Sequence, residues 1–185
     1  MLSKSEFISA RERALIYFTK AGIVLSDSEK ENIEVADFGL GKLNEIGLEI
    51  LVYVNTERCC AKELVLFPYQ ICPEHKHPDI NGKEGKEETF RCRFGKVYLY
   101  IDGEPSKNIS CKLPKGQENN FTVKKEIILN PGDQYTLNPG ILHWFQAGEE
   151  GAIISEFSTK SSDEFDYFTD PKIRRIPEIE DVNNF

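Results

Sequence analysis

The chain has 185 residues, 39% of them hydrophobic and 29% charged, with 31 acidic against 23 basic side chains and a net charge of −8. That length is enough to bury one sizeable core, and no shift in composition asks for a second, so one domain over 1–185 is expected. The negative balance disfavours phosphate backbones and anionic lipid, and no apolar run approaches membrane-spanning length, so neither nucleic acid nor a membrane is an expected partner.

In chain order, Met1-Leu2-Ser3-Lys4-Ser5-Glu6 puts charges where a signal peptide needs an apolar core, and the expected location is the cytoplasm. Ser3 and Glu6 fit a capping box, and Phe7, Ala10, Ala14 and Phe18 recur on one face, which predicts a helix over 3–22 stopped by Gly22. From about residue 33 the pattern changes to short β-rich runs punctuated by Gly, Pro, Asn and Asp, as in an antiparallel sandwich or barrel. Strands are predicted at 48–55, 63–67, 89–94, 96–101, 121–129, 134–137, 143–147 and 152–157. The polar, glycine-containing stretch 80–86 reads as a surface loop, and 105–120 as a mobile insertion after the Asp102-Gly103 turn. Beyond Phe157 the chain turns acidic and aromatic. The layout is thus a helical segment at 1–32, a barrel at 33–157 and a tail at 158–185 that wraps over it.

Five cysteines, Cys59, Cys60, Cys72, Cys92 and Cys111, are an odd number without a Cys-x-x-Cys spacing. They read as reduced thiols, with Cys72 and Cys92 in apolar, strand-like surroundings.

The chemistry gathers around the only three histidines, His75, His77 and His143. His75 and His77 stand two apart in a strand, so both imidazoles project from one face and can converge on one ion. Eleven residues on, Glu88 opens a run in which it shares a face with Phe90, Cys92 and Phe94, while Glu87, Thr89, Arg91 and Arg93 point away. The stretch Pro131-Gly132-Asp133-Gln134-Tyr135-Thr136-Leu137-Asn138-Pro139-Gly140-Ile141-Leu142-His143 brackets a short strand with two Pro/Gly turns and delivers His143 into the next strand. Three neutral imidazoles and a carboxylate suit one divalent cation, with manganese, zinc, cobalt, nickel and iron all compatible, and leave coordination positions open for catalysis.

These residues resemble the cupin superfamily. His75-Lys76-His77, Glu88 and, seven residues after Glu88, Gly95 match its first motif, with a longer gap before the glutamate and Tyr69 where a glycine is usual. Gly132, Gly140 and His143 match the second, with Asn138 in place of its proline and Ala147 in place of its asparagine. The resemblance implies an all-β fold, the cupin double-stranded β-helix or jelly-roll barrel, with the N-terminal helix and C-terminal tail packed on it.

The long histidine-to-glutamate gap is similar to that of one cupin group, the D-lyxose ketol-isomerase family. Further matches are Asp37-Phe38-Gly39-Leu40-Gly41, Ile46-Gly47-Leu48, Ala61-Lys62-Glu63-Leu64, Pro73-Glu74, Ser155-Glu156-Phe157-Ser158, Asp170-Pro171 and Arg175-Ile176-Pro177-Glu178-Ile179-Glu180. The resemblance implies a metal-dependent aldose-ketose isomerase acting on free sugars, D-lyxose to D-xylulose or D-mannose to D-fructose, with manganese as the metal and a homodimer as the assembly. It points to Glu156 and Lys62 as catalytic groups. Glu156 is expected as general base, its proton affinity raised in a partly apolar cavity, and Lys62 as electrophile or proton donor to a sugar oxygen. Asp170, Arg175 and Trp144 are expected against the sugar. The competing readings are an iron-dependent cupin dioxygenase and a non-catalytic sugar-binding cupin.

Overall fold

Ser3 and Glu6 close the expected capping box, and the helix they start, α1 (Lys4–Lys20), turns Ala10, Ala14, Tyr17 and Phe18 inward. A second capping box at Ser26 and Glu29, absent from the expectations, starts the short α2 (Asp27–Glu31). The protein is described by a computed structural model over residues 2–179; Met1 and residues 180–185 lie outside the described residues, so the wrapping tail is described only as far as Ile179.

Nine strands among the described residues form one curled antiparallel sheet: β1 (Glu34–Ala36), β2 (Leu48–Asn55), β3 (Cys60–Leu66), β4 (Ile71–Lys76), β5 (Glu88–Ile101), β6 (Lys125–Leu129), β7 (Gln134–Leu137), β8 (His143–Ser158) and β9 (Tyr167–Phe168). The sheet curls because β5 and β8 are long and bent. The two strands predicted at 89–94 and 96–101 are one strand, β5, interrupted by register shifts around Arg93 and Lys96, and those predicted at 143–147 and 152–157 are likewise joined in β8. At the bend, Gly95 has φ 70°, and a Cβ there would overlap the Gly151 carbonyl oxygen, so the glycine of the first motif serves a close approach between strands. The first half of β8 lies between β4 and β5, and its second half between β3 and β5.

The shift at Arg93 also overturns the expected parity of Phe94. Its ring leaves the interior and packs edge-on against Tyr17 of α1, 6.0 Å between centroids. One buried cluster fills the curl, with Leu64, Phe90, Cys92, Leu99 and Phe145 among its members; another, with Phe18, Val35, Leu51, Val65 and Ile153, lies between α1 and the sheet's outer face. Each such side chain withdrawn from water stabilises the fold by about 1.5–3 kcal/mol.

Only Lys125–Leu129 of the strand predicted at 121–129 joins the sheet. Thr122 and Val123 give their N–H groups to the buried carboxylate of Glu74 at 2.6 and 2.9 Å, which leaves them unavailable for a strand ladder. The segment expected as a mobile insertion is tied down: Cys111 N–H donates to the Tyr100 hydroxyl, Lys112 N–H to Gln146, and Asn120 to Asp170. All five cysteines are free, and burial pushes the Cys92 thiol up to about 11. Among the described residues no helix is long and apolar enough to cross a membrane.

Candidate active site

Sheet register brings the first two imidazoles together. His75 in β4 is the cross-strand partner of His143 in β8, and their rings lie 4.3 Å apart between centroids. His77 follows just past the end of β4 on the same side, 5.0 Å from the His75 ring and 5.5 Å from that of His143. One nitrogen from each ring falls within 4.8 Å of the others.

Each ring is aimed by its other nitrogen. Nδ1 of His75 donates to the Pro73 carbonyl at 2.8 Å and Nδ1 of His143 to the Ile141 carbonyl at 3.0 Å, which fixes the tautomer and leaves the Nε2 lone pairs inward. His77 Nδ1 is held by Asp166 Oδ1 at 2.5 Å. Glu88, at the head of β5, sets Oε1 3.0 Å from Nε2 of both His77 and His143.

The His143 contact tests whether a cation fits. Its Nε2 is fully buried and makes no hydrogen bond, although the Glu88 carboxylate faces it at 3.0 Å. A lone pair and a carboxylate oxygen at that distance are two acceptors without a donor, an arrangement that an electrophile between them would relieve. Burial and the neighbouring imidazoles hold His75 well below the usual histidine range, so it is neutral. Burial pulls His77 down too, but Glu88 and Asp166 outweigh it and raise the ring to about 9; the same carboxylates favour any positive charge placed there. The donor set therefore fits a divalent cation.

Lys62 of β3 and Glu156 of β8 are also register partners, continued by Phe90 of β5, so all three project into the curl. Lys62 Nζ lies 3.7 Å from Glu156 Oε1, 2.7 Å from Asp163 Oδ2 and 2.8 Å from the Ser161 hydroxyl. The cavity that Glu156 lines is partly apolar, but the carboxylate itself meets charge. Its Oε1 is flanked by two ammonium groups, Lys62 and, at 2.9 Å, Lys86.

Lys86 is the main residue the sequence reading missed. Expected in an exposed loop, it is buried and bridges Glu88 Oε2 and Glu156 Oε1, each at 2.9 Å. The loop turns in because Gly85 passes against the His77 carbonyl, where a Cβ would overlap it. Parity was the available signal, since Lys86 stands two before Glu88 and shares its face. Asp163 and Asp166 were missed as well; no periodicity marks them.

Arg175 lines the cavity, bonded to Glu34 and, at 3.1 Å, to Asp163. Burial opposes the Asp163 charge, but Lys86, Lys62 and Arg175 together hold its carboxyl far below the usual range. Asp170 and Trp144, both expected against the sugar, are not on the cavity wall. Strand alternation turns Trp144 away from the His143 side, where it stacks on Tyr100 at 4.0 Å and donates its indole N–H to Val123 O. Asp170 is spent on Asn120 and the Lys172 N–H.

The cavity holds about 40 Å³ and is lined by the polar His75, His77, Glu88, Lys86, Lys62 and Glu156 and by the apolar Phe38, Leu48, Ile50, Leu64 and Phe168. A curled antiparallel sheet that gathers imidazoles and a carboxylate inside defines a cupin, and solved structures agree on that fold. The L-ribose isomerase of Acinetobacter sp. DL28, in complex with L-ribose, superposes with a TM-score of 0.79 at 15% identity, over 97% of this chain and 98% of that one. The L-ribose isomerase of Cellulomonas parahominis gives 0.79 at 16%, with the same coverage.

Sequence narrows the class further. The family model described as D-lyxose isomerase matches residues 28–184. The D-lyxose/D-mannose isomerase of Thermosediminibacter oceani is 64% identical over 181 residues, 98% of this chain and 100% of that protein, and the D-lyxose ketol-isomerase of Cohnella laeviribosi is 58% identical over 176 residues, 95% and 97% of the two. The chain belongs to the D-lyxose isomerase family and is a sugar isomerase. The dioxygenase and non-catalytic readings are set aside on that ground.

Proposed function

We propose that the protein is a metal-dependent aldose-ketose isomerase acting on free aldoses, converting D-lyxose to D-xylulose and, in second place, D-mannose to D-fructose. The observation that carries this reading is the cavity's pairing of the partnerless Nε2 of His143, which faces Glu88, with a second carboxylate, Glu156, held 2.9 Å from the same lysine that holds Glu88. A divalent cation on His75, His77, Glu88 and His143, manganese by family resemblance, supplies a Lewis acid for the sugar's carbonyl and neighbouring hydroxyl oxygens.

The remaining chemistry belongs to the chain's own groups. Glu156 takes the proton from one of the two reacting carbons and returns it to the other, as an aldose-ketose exchange requires. An alternative duty, orienting a ligand imidazole, is supported less, because Glu156 bonds to Lys86 and Ser158 while Asp166 and two backbone carbonyls serve the rings. Lys86 fixes the base relative to the ligand carboxylate. Lys62, bonded to Ser161 and Asp163, is placed to donate to a sugar oxygen. Arg175 and Asp163 offer hydrogen bonds to hydroxyls.

A cavity of about 40 Å³ has room for about three waters, less than a pentose fills. We infer that residues 159–166, held at the cavity by polar contacts, lift to admit substrate: Ser161 on Asn55 and Lys62, Asp163 on Lys62, and Asp166 on His77. The net charge of −8 and the free thiols fit a cytoplasmic enzyme without a nucleic-acid or membrane partner. A homodimer is supported by the resemblance and by Val54, Ala61 and Phe157, register neighbours whose larger side chains are exposed.

The test is to strip the protein of metal, reload it with manganese, and follow D-lyxose to D-xylulose with D-mannose alongside. Turnover that depends on the added ion is expected. Absence of turnover with manganese, zinc, cobalt, nickel and iron alike would remove the reading.

A further inference from the structure

Phe38 occupies a backbone conformation that its side chain disfavours. It stands second in the tight turn 37–40, closed by Leu40 N–H donating to Asp37 O at 3.1 Å, and both central residues are left-handed, Phe38 at φ 54° and Gly39 at 70°. That turn normally takes glycine, asparagine or aspartate at those places, and a bulky aromatic there is a true outlier.

The surroundings hold it regardless. Asp37 Oδ1 accepts from Gly39 N–H at 3.0 Å, and the tail's Arg174 N–H donates to the Phe38 carbonyl at 2.9 Å. The ring is 2% exposed, lines the cavity, and lies 5.9 Å from Phe168, whose own ring is stacked on His75 at 5.5 Å. Strain that persists at a cavity wall is a mark of function.

The cavity thus has two unlike walls. The mouth, residues 159–166, reaches the cavity through side chains, Ser161 and Asp163 on Lys62 and Asp166 on His77, whose polar contacts a sugar's hydroxyls can replace. The turn carrying Phe38 is closed by Leu40 N–H on Asp37 O, braced by the Asp37 carboxylate and tied to the tail by Arg174 N–H, contacts that a sugar does not replace.

We infer that the ring of Phe38 is the fixed stop that sets the length of the sugar chain the site accepts. The inference rests on the isomerase reading above. On this inference a sugar anchored by its reacting carbons at the imidazoles runs toward the apolar lining that includes Phe38, and an added hydroxymethyl group meets the ring. Its carbon needs space that the ring fills, and its hydroxyl loses water without gaining a partner. D-mannose, which is D-lyxose lengthened by one hydroxymethyl group with the same configuration at the shared centres, is the natural probe.

The experiment measures kcat/KM for both sugars with the manganese-loaded wild type and the Phe38→Leu, Phe38→Ala and Phe38→Gly variants. The D-mannose to D-lyxose ratio is expected to rise about tenfold or more in Phe38→Ala and less in Phe38→Leu. Phe38→Gly, which also relieves the backbone, should shift it in the same direction and so tie the effect to the ring. A ratio within about twofold of wild type in variants that still melt cooperatively, or an equal fall on both sugars, would overturn the assignment and make Phe38 a packing residue. Should Phe38→Ala fail to fold, the leucine and glycine variants carry the same comparison. A wild type inactive on both sugars defeats the isomerase reading itself, and is seen before any variant is compared.

Discussion

The site is built from two kinds of backbone. His75 and His143, and again Lys62 and Glu156, are facing residues on neighbouring strands, and Glu88 opens the strand beside them. Asp163, Asp166 and Arg175 come from the chain after β8, where among the described residues only a single 3-10 turn and the two-residue β9 are regular. The strand half is positioned by ladder hydrogen bonds that would exist whatever its side chains did. The tail half is positioned by the site itself, through Asp166 on His77 and Asp163 on Lys62, Lys86 and Arg175. On the proposed mechanism the difference puts the reacting groups on the sheet, while access and fine adjustment fall to contacts that can break and re-form.

Replacement in the strand half should therefore be the more damaging. His143→Ala removes a donor from a buried cluster, and the expected result is loss of bound metal together with a fall in turnover of about a thousandfold or more. Metal content after dialysis, measured beside activity, checks it; a variant that keeps both would place the ion elsewhere.

Glu156→Gln separates holding from reacting within the same half. It is expected to retain the metal and lose about 10²–10⁴-fold in kcat, the range for removing a positioned acid-base group. Retained turnover would take Glu156 out of the base role and leave Lys62 or Lys86 as candidates.

Across the divide, Asp166→Asn touches no reacting atom. Losing the charge on His77 Nδ1 should weaken metal affinity by about 10–100-fold while saturating metal restores most of the turnover. A loss as deep as that of His143→Ala would erase the distinction between the halves.

The same division explains what could be read from the chain beforehand. A period of two placed His75 with His77 and Glu88 with Phe90 because a strand alternates whatever its partners are, and the predicted bounds 48–55 match β2. Lys86 obeys the same alternation, yet the polar run around it reads as solvent loop, and its burial depends on Glu88 two residues on and on Glu156 from a distant strand. Trp144 was assigned to the sugar on its chemistry, whereas the parity that turns His143 inward sends the indole to the other face. The tail's acidic and aromatic composition predicts wrapping. Which of its carboxylates reaches inward depends on a 3-10 turn at Asp163–Phe165 that no local pattern announces.

The smallest effect lies on the sheet's outer face and involves no ligand. Glu49 of β2 is fully buried, its Oε1 receiving only a long 3.4 Å hydrogen bond from Gln70 and its Oε2 none. Burial pushes this carboxyl up to about 8, against 4.5 in the unfolded chain. Between those values the folded state keeps a proton that the unfolded chain has released. Glu49 therefore contributes stability that is complete below pH 4.5 and lost as pH rises through 8, by about 5 kcal/mol in all. Glu49→Gln imitates the protonated form and should remove that slope, so that urea midpoints of variant and wild type stay close near pH 5 and separate above pH 8 in the variant's favour. A constant gap at both pH values would show that Glu49 is already ionised in the fold. It would also mean that the strand half tolerates a buried charge without a partner, which the pairing of Glu88 and Glu156 with Lys86 argues against.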